Sequence, residues 1–400
     1  MLSFEEARSR LLSNAARLAT EHARVADASG RVLAHDLVAE APLPPFDYSA
    51  MDGYAVATAD LDGEPPWTLP VRGESAAGGL PPPLPPRAAS RIFTGARLPQ
   101  RADAVVMQES VARRGDAVGL QARPHPGQHI RRAGEDLAPG ARAIAAGTRL
   151  SAGALALVGM LDRREIVVVR RPRVTILCTG NELRAPGEGA RAGSIPESNS
   201  APLAALAAQA GATANVAPIV PDDPNAIERA VEAALDGTDL LITVGGVSVG
   251  DHDFVRPALE RVGVTLDFWK VAIKPGKPLV VGSRKTTHVL GLPGNPASAL
   301  VAMAIFGVPL LRVMQGDAHP LPMAFAVGLD RERKRSPDRM EFVRATLHVA
   351  DGTMVAHAHD NQASGAATSL ATSDGLAMVP PGETPLELTA RVDFVRWNDV

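Results

Sequence analysis

The chain has 400 residues, 46% hydrophobic and 21% charged, with 41 basic and 44 acidic side chains and a net charge of −3. That length predicts two to four domains, the composition excludes global disorder, and the charge excludes a bulk electrostatic drive toward nucleic acid or anionic lipid. Only 4% of residues are aromatic, so Val, Leu, Ile and Ala must fill the cores, and 36 Gly with 34 Pro predict many turns and short strands.

The chain opens on an amphipathic helix, in which Ser3 and Glu6 form a capping-box pair and Phe4, Ala7, Leu11, Ala15 and Leu18 follow at helical spacing. It has no basic region followed by an apolar run, so a secretory signal is not expected. The stretch APLPPFDYSAMDGYAV is extended, because Pro42, Pro44 and Pro45 cannot sit inside a helix. Residues 54–136 alternate short apolar runs with Gly and Pro, which predicts a small β domain with strands at 69–72, 91–94, 104–108, 118–122 and 129–131. GGLPPPLPPRA is a surface loop within it. A helix is expected at 151–161 and a strand at 165–169.

Beyond residue 172, apolar strands (RVTILC, ATANVAPIV, DLLITV, HVLGL) alternate with helices, the pattern of a parallel sheet covered on both faces. Asn199 or Ser200 caps one helix, Asp223 the next, and Asn295 with Pro296 the last. The apolar run 297–313 reads as a buried helix broken by Gly307 and Pro309, not a membrane span. After Pro320, FAVGLDR, EFVRATLHVA and ELTARVDFVRW alternate, which predicts a C-terminal β-barrel or sandwich. The single cysteine, Cys178, excludes an internal disulfide and a cysteine zinc cluster, and suits a reducing cytoplasm.

Ligands of an open parallel sheet bind where strand ends deliver their loops. Three such loops, CTGNEL, VGGVSVGDHDF and GLPGNPASA, offer Thr179, Gly180, Gly245, Gly246, Ser248 and Gly294 for close backbone approach to phosphate. None is a Walker loop or a dinucleotide G-x-G-x-x-G. Glu182, Asp222, Asp223, Asp251 and Asp253 crowd the same region; carboxylates beside anion-binding glycines call for an intervening cation, and hard oxygen ligands point to Mg²⁺. In FWKVAIKPGKPLVVG, Lys274 and Lys277 stand beside Pro and Gly as anion binders, while Lys270 snorkels beside Trp269. Asp47, Ser49 and Asp52 mark a further candidate segment, and neither Ser248 nor Cys178 has a base nearby in sequence, which disfavours covalent catalysis.

FDYSAMDGYAV, RIFTGARLP with AVVMQE, RRAGEDL, CTGNEL, GGVSVGDHDF, FWKVAIKPGKP and GLPGNPASAL occur in this order, and together they resemble the molybdopterin molybdenumtransferase family, which also includes the C-terminal part of gephyrin. The resemblance implies insertion of molybdate into adenylylated molybdopterin with release of AMP, dependence on Mg²⁺, a homodimer, transient contact with other enzymes of molybdenum cofactor biosynthesis, and no nucleic-acid or membrane partner. It implies a multidomain α/β plus β chain: an extended linking domain at 1–53 and 137–171, a small β domain at 54–136, a doubly wound α/β/α domain at 172–318, and a β-barrel at 319–400. It places function on Asp52, Thr94, Asp136, Glu182, Asp222, Asp253, Lys274, Lys277 and Arg339, with Asn199, Pro293, Pro296 and Ser364 toward the cofactor and Glu182, Asp222 and Asp253 toward the metal. Three positions depart from the family pattern: Asn181 stands where an acid is common, Glu197 where Asp is commoner, and Ala363 where Gly is usual. The alternatives are a molybdopterin adenylyltransferase, which shares the α/β module, and a non-catalytic molybdopterin-binding scaffold.

Overall fold

The computed structural model describes residues 1–246 and 253–400. The chain divides into two compact units, one of residues 36–145 and 151–165, the other of residues 1–35, 146–150 and 166–400.

The first unit holds a six-stranded sheet in the order Ala104–Met107, Gly53–Val56, Ala89–Ile92, Trp67–Ser75, Ala117–Leu120 and Val111–Arg114. Tyr54, Val56, Trp67, Leu69, Val106, Val118 and Leu120 form its core. The strand expected at 91–94 stops at Ile92, and the Thr94 amide turns instead to the Asp52 carboxylate. Val111–Arg114 carries no apolar alternation that would announce it; it forms because it closes a hairpin onto Ala117–Leu120. Ile130–Arg131 pairs outside this sheet, with Tyr48–Ser49.

In the second unit, the Phe4–Ser13 helix carries the reciprocal Ser3–Glu6 capping box and buries Phe4, Ala7 and Leu11. Phe4 meets Phe306 and Phe342 edge-on, with ring centroids 5.6 and 5.0 Å away. The helix ends at Asn14, short of Ala15 and Leu18, although both still pack against the core.

The α/β sheet runs Thr213–Val216, Arg173–Cys178, Leu240–Val244, Thr287–Leu292, Val280–Arg284 and Thr265–Trp269. Its first four strands are parallel and its last two antiparallel. The departure from an all-parallel sheet arises where no crossover helix intervenes: Val280–Arg284 returns to Thr287–Leu292 through a tight turn. Successive strand residues enter opposite cores. Ile176, Ile242 and Leu290 face one, while Leu177, Leu241 and Val289 face the other. Burial on both faces is why these strands are continuous apolar runs.

Residues 296–314 form one helical run, Pro296–Ala302, a π turn over Met303–Gly307, then Val308–Met314. The break expected at Gly307 and Pro309 is absorbed by that π turn, which relieves the register where Pro309 lacks an N–H. Among the described residues it is the one helix long and apolar enough to cross a membrane, and 83% of its apolar window is buried.

The last five strands close a barrel. Met340–Ala350 pairs with Thr353–Ala358 and Gly375–Val379, and Ala324–Leu329 with Arg391–Arg396 completes the circuit. Val327, Val343, Ala345, Ala356 and Phe394 fill it. Ile273–Lys274 adds alongside Met340–Glu341 in parallel, joining the KPGK turn to the barrel.

Candidate active site

Cys178 lies opposite Val244, and Val244 opposite Leu292, so the three Gly-bearing loops leave one sheet edge at one level. The Gly245 amide donates to the Leu292 carbonyl at 3.2 Å, and the Thr179 amide to Val244 at 3.0 Å. Gly245 and Gly246 have φ of +92° and +60°, in the left-handed region. A Cβ on Gly245 would stand 2.7 Å from the Thr179 carbonyl oxygen. Only glycine lets these two loops approach so closely. Asn199 Nδ2 donates to the Gly294 carbonyl at 2.8 Å, tying the third loop to the start of the Ser200–Gln209 helix.

A cleft of about 300 Å³ results, with Thr179, Glu182, Asn199, Gly245, Gly294 and Pro296 in its wall. All six are residues the sequence singles out, although they span more than a hundred positions. Thr179 is buried, and its Oγ1 has no hydrogen-bond partner among the described residues. Pro293 is buried beneath the third loop. A second cavity, of about 620 Å³, shares the neighbouring backbone and is lined by Cys178, Gly180, Asn181, Arg184, Arg191 and Glu197. Ser248 and Asp251 lie outside the described residues.

Asn199 occupies the N-cap position of the Ser200–Gln209 helix, but its side chain makes no capping hydrogen bond. The buried Glu197 carboxylate does this work, accepting from the amides of Asn199 and Ser200 at 2.5 and 3.0 Å. These donors, with Ser200 Oγ, outweigh its burial and hold its pKa below the ordinary carboxylate value. The extra methylene relative to Asp supplies the reach for this double contact. Burial pushes the Cys178 thiol far up, and its S–H donates to Glu197 at 3.5 Å, so Cys178 is a protonated core residue. Asn295 likewise begins its helix without a side-chain cap; the Ala297 amide donates to the Ser364 carbonyl at 3.0 Å, which sets Ser364 beside the third loop.

The carboxylates differ in their freedom. Asp223 caps its helix, accepting from Ala226 N at 2.7 Å. Asp222 and Asn181 clasp each other reciprocally: the Asn181 amide donates to Asp222 Oδ2 at 3.2 Å, and the Asp222 amide to Asn181 Oδ1 at 3.1 Å. Asp253, its side chain 10% exposed, accepts from the Arg256 amide at 3.4 Å, and burial raises its pKa. Glu182 is exposed on the cleft wall and makes no ion pair among the described residues. Among the described residues no three His, Cys, Asp or Glu side chains gather into a metal-holding group. These acids therefore do not form an all-protein cage.

Lys274 and Lys277 flank Gly276, whose φ of +103° makes the turn and whose Cα side faces the Ser298 carbonyl and Ile273. The Val271 amide donates to the Lys277 carbonyl at 3.1 Å, which closes the turn. Lys277 is exposed and makes no ion pair among the described residues. Lys274 Nζ lies 3.4 Å from the buried Glu341 carboxylate. Lys270 lies over the Trp269 ring at 3.8 Å, as its apolar neighbour predicts. Arg339, on the approach to the barrel strand, lies 3.7 Å from the carboxylate of its neighbour Asp338, the one ion pair it makes among the described residues.

In the unit of residues 36–145 and 151–165, Asp52 and Thr94 meet: the Thr94 amide and hydroxyl donate to Asp52 Oδ1 at 2.7 and 2.9 Å. Those donors, the amide foremost, hold the exposed Asp52 carboxyl below the ordinary value. Asp47 and Ser49 are tied into the surrounding fold. Asp47 accepts from Arg132 Nη1 and the Ala133 amide, and the fully buried Ser49 donates to the Met51 carbonyl. Asp136 lines a separate cavity of about 340 Å³ with Tyr48, Arg131 and Glu135.

The sequence reading missed Glu341, Arg333 and Arg344. Arg344 is fully buried in the barrel, donating to Ser369 Oγ at 2.8 Å and to the carbonyls of Asn361 and Ala363 at 3.3 and 3.0 Å. The available signal was two charges, Glu341 and Arg344, inside the apolar strand EFVRA.

Loops that leave the ends of parallel strands beside one cleft define an α/β protein whose candidate ligand site is its sheet edge. Comparison narrows this class. Residues 2–161 match the MoeA N-terminal region (domain I and II), residues 175–313 the probable molybdopterin binding domain, and residues 326–397 the MoeA C-terminal region (domain IV). A molybdopterin molybdenumtransferase of Haemophilus influenzae is 36% identical over 87% of each chain. Molybdopterin molybdenumtransferase 2 of Mycobacterium tuberculosis is 36% identical over 93% of each. The crystal structure of the molybdopterin biosynthesis MoeA protein of Pyrococcus horikoshii superimposes with a TM-score of 0.86 at 28% identity, covering 99% of this chain and all of that one. This chain belongs to the molybdopterin molybdenumtransferase family.

Proposed function

We propose that this chain transfers molybdate onto adenylylated molybdopterin with release of AMP. The observation that carries the reading is the sheet-edge cleft, in which six separately signalled residues form one wall, in a chain that matches named molybdenumtransferases over nearly its whole length. Backbone amides of the Gly loops would take phosphate oxygens, and Lys274 and Lys277 would draw molybdate. Asp52, held rigidly by Thr94, would orient a reacting oxygen, with Asp136 and Arg339 as further polar contacts. Mg²⁺, held through Glu182 with Asp222 or Asp253, would offset repulsion between phosphate and molybdate. No protein thiol is required, since the substrate brings its own sulfurs, and the protonated Cys178 accords with that.

The same reading includes a homodimer in the cytoplasm. The deciding experiment incubates the purified chain with adenylylated molybdopterin, Mg²⁺ and molybdate. AMP release with stoichiometric molybdenum incorporation is expected. ATP consumption with unadenylylated molybdopterin would instead identify an adenylyltransferase, and tight binding without AMP a scaffold.

A further inference from the structure

At the junction of the KPGK turn and the barrel, two cations share one carboxylate. Glu341 is 4% exposed. Its Oε1 accepts from the Ser336 amide at 2.9 Å, while Oε2 faces Arg333 Nη2 at 3.5 Å and Lys274 Nζ at 3.4 Å. Backbone pairing imposes the juxtaposition, since Ile273 and Lys274 register against Met340 and Glu341, and the Met340 amide donates to Ala272 at 2.9 Å.

A buried carboxylate needs one cation and satisfied lone pairs. Arg333, 20% exposed, with the Ser336 amide already meets that need. Lys274 is a second cation on the same oxygen, so the cluster carries one positive charge in surplus. That surplus sits at the solvent end, because the Lys274 side chain is 49% exposed while Glu341 is not. We infer that Glu341 is a positioning residue of the anion site, holding the Lys274 ammonium at the mouth of the KPGK turn. The inference rests on the transferase reading above.

A bare electrostatic view gives the opposite expectation. If Glu341 only competed with substrate for the lysine, removing its charge would strengthen anion binding. If it positions Lys274, Glu341→Gln frees the lysine from its anchor and leaves it repelled by Arg333, which weakens binding. Molybdate dependence of AMP release in the full-length chain separates the two. We expect Glu341→Gln to raise the half-saturating molybdate concentration roughly tenfold, the size of one charge-assisted contact, with kcat within about twofold of wild type. Glu341→Asp, which keeps the charge, should recover part of this. In a Lys274→Ala background, Glu341→Gln should add little, because the lysine it positions is gone.

Tighter molybdate dependence in Glu341→Gln, or full additivity with Lys274→Ala, would overturn the inference. If Glu341→Gln does not fold, the Glu341→Asp pair with and without Lys274→Ala gives the same coupling. Absence of AMP release by wild type would instead overturn the transferase reading, which is a different result from altered coupling among active variants.

Discussion

Around the sheet-edge cleft, close approach is made by backbone: Gly245 packs against the Thr179 carbonyl, and Asn199 grips the Gly294 carbonyl. At the KPGK–barrel junction the arrangement is made by charge, with Lys274 and Arg333 on a buried Glu341. Asp52 with Thr94, in the other compact unit, is nearer the second kind, a charged side chain held by an amide and a hydroxyl. The two constructions should fail differently. A backbone-shaped site is lost by adding a single carbon, because neither carbonyl nor strand can retreat. A charge-built site survives the loss of one member as a folded protein and loses affinity or rate instead.

The largest effect is expected at the cleft. Gly245→Ala adds a Cβ 2.7 Å from a backbone oxygen at a φ of +92°. We expect a loss of about 2–4 kcal/mol of stability together with nearly all AMP release; thermal unfolding and single-turnover assays read both. A stable Gly245→Ala with ordinary turnover would erase the distinction.

Next is Asp52→Asn. AMP release should fall roughly a hundredfold, as for a misplaced reacting group, while the melting temperature stays within a few degrees because the side chain is exposed. A large melting-temperature change with activity retained per folded molecule would make Asp52 a structural partner of Thr94.

Lys274→Ala and Lys277→Ala should weaken molybdate dependence by about 5- to 150-fold, from a loss of about 1–3 kcal/mol per charge-assisted contact. Lys→Arg should recover only part, since a compact tetrahedral anion suits a point charge. Unchanged molybdate dependence in both alanine variants would mean that these are surface charges.

The smallest effect sharpens the comparison by its sign. Burial raises the Asp253 pKa, so its ionised form opposes folding at neutral pH. Asp253→Asn should raise the melting temperature by about 1–2 °C at pH 7, and the gain should fade as pH drops through the folded pKa toward the ordinary carboxylate value. Glu341 has the reverse sign: Ser336, Lys274 and Arg333 outweigh its burial and lower its pKa. Its contribution is complete above the ordinary carboxylate value and disappears as pH falls through the lower folded one. Melting curves of Asp253→Asn and Glu341→Gln, followed from about pH 3 to 7, should therefore diverge most at neutral pH.

Local signals carried much of this molecule. The Ser3–Glu6 box, the Asp223 cap and the doubly apolar strands 173–178 and 240–244 are legible because each depends on neighbours three or four residues away or on burial of both strand faces. The three loops could be put on one edge for the same reason, since parallel strands must deliver their ends together. Within FDYSAMDGYAV, composition alone could not separate Asp52 from Asp47 and Ser49, three short polar residues in one extended segment; the family resemblance picked out Asp52, and the structure adds their different partners, Thr94, Arg132 and Met51.

Tertiary structure alone decided who caps, who pairs and which charges are buried. Glu197, not Asn199 or Ser200, satisfies the first amides of its helix, because a side chain outside the helix reaches them first. The antiparallel end of the sheet followed from a missing crossover, and the unbroken 296–314 run from a π turn that takes up Pro309. Glu341 was hidden most deeply. Sequence places a carboxylate in a strand, but its meaning comes from Lys274, 67 residues away, brought opposite by strand register. Periodicity and caps are short-range properties that a chain displays along its length; charge pairing in a core is a long-range one, set only when distant segments exclude water from the same space.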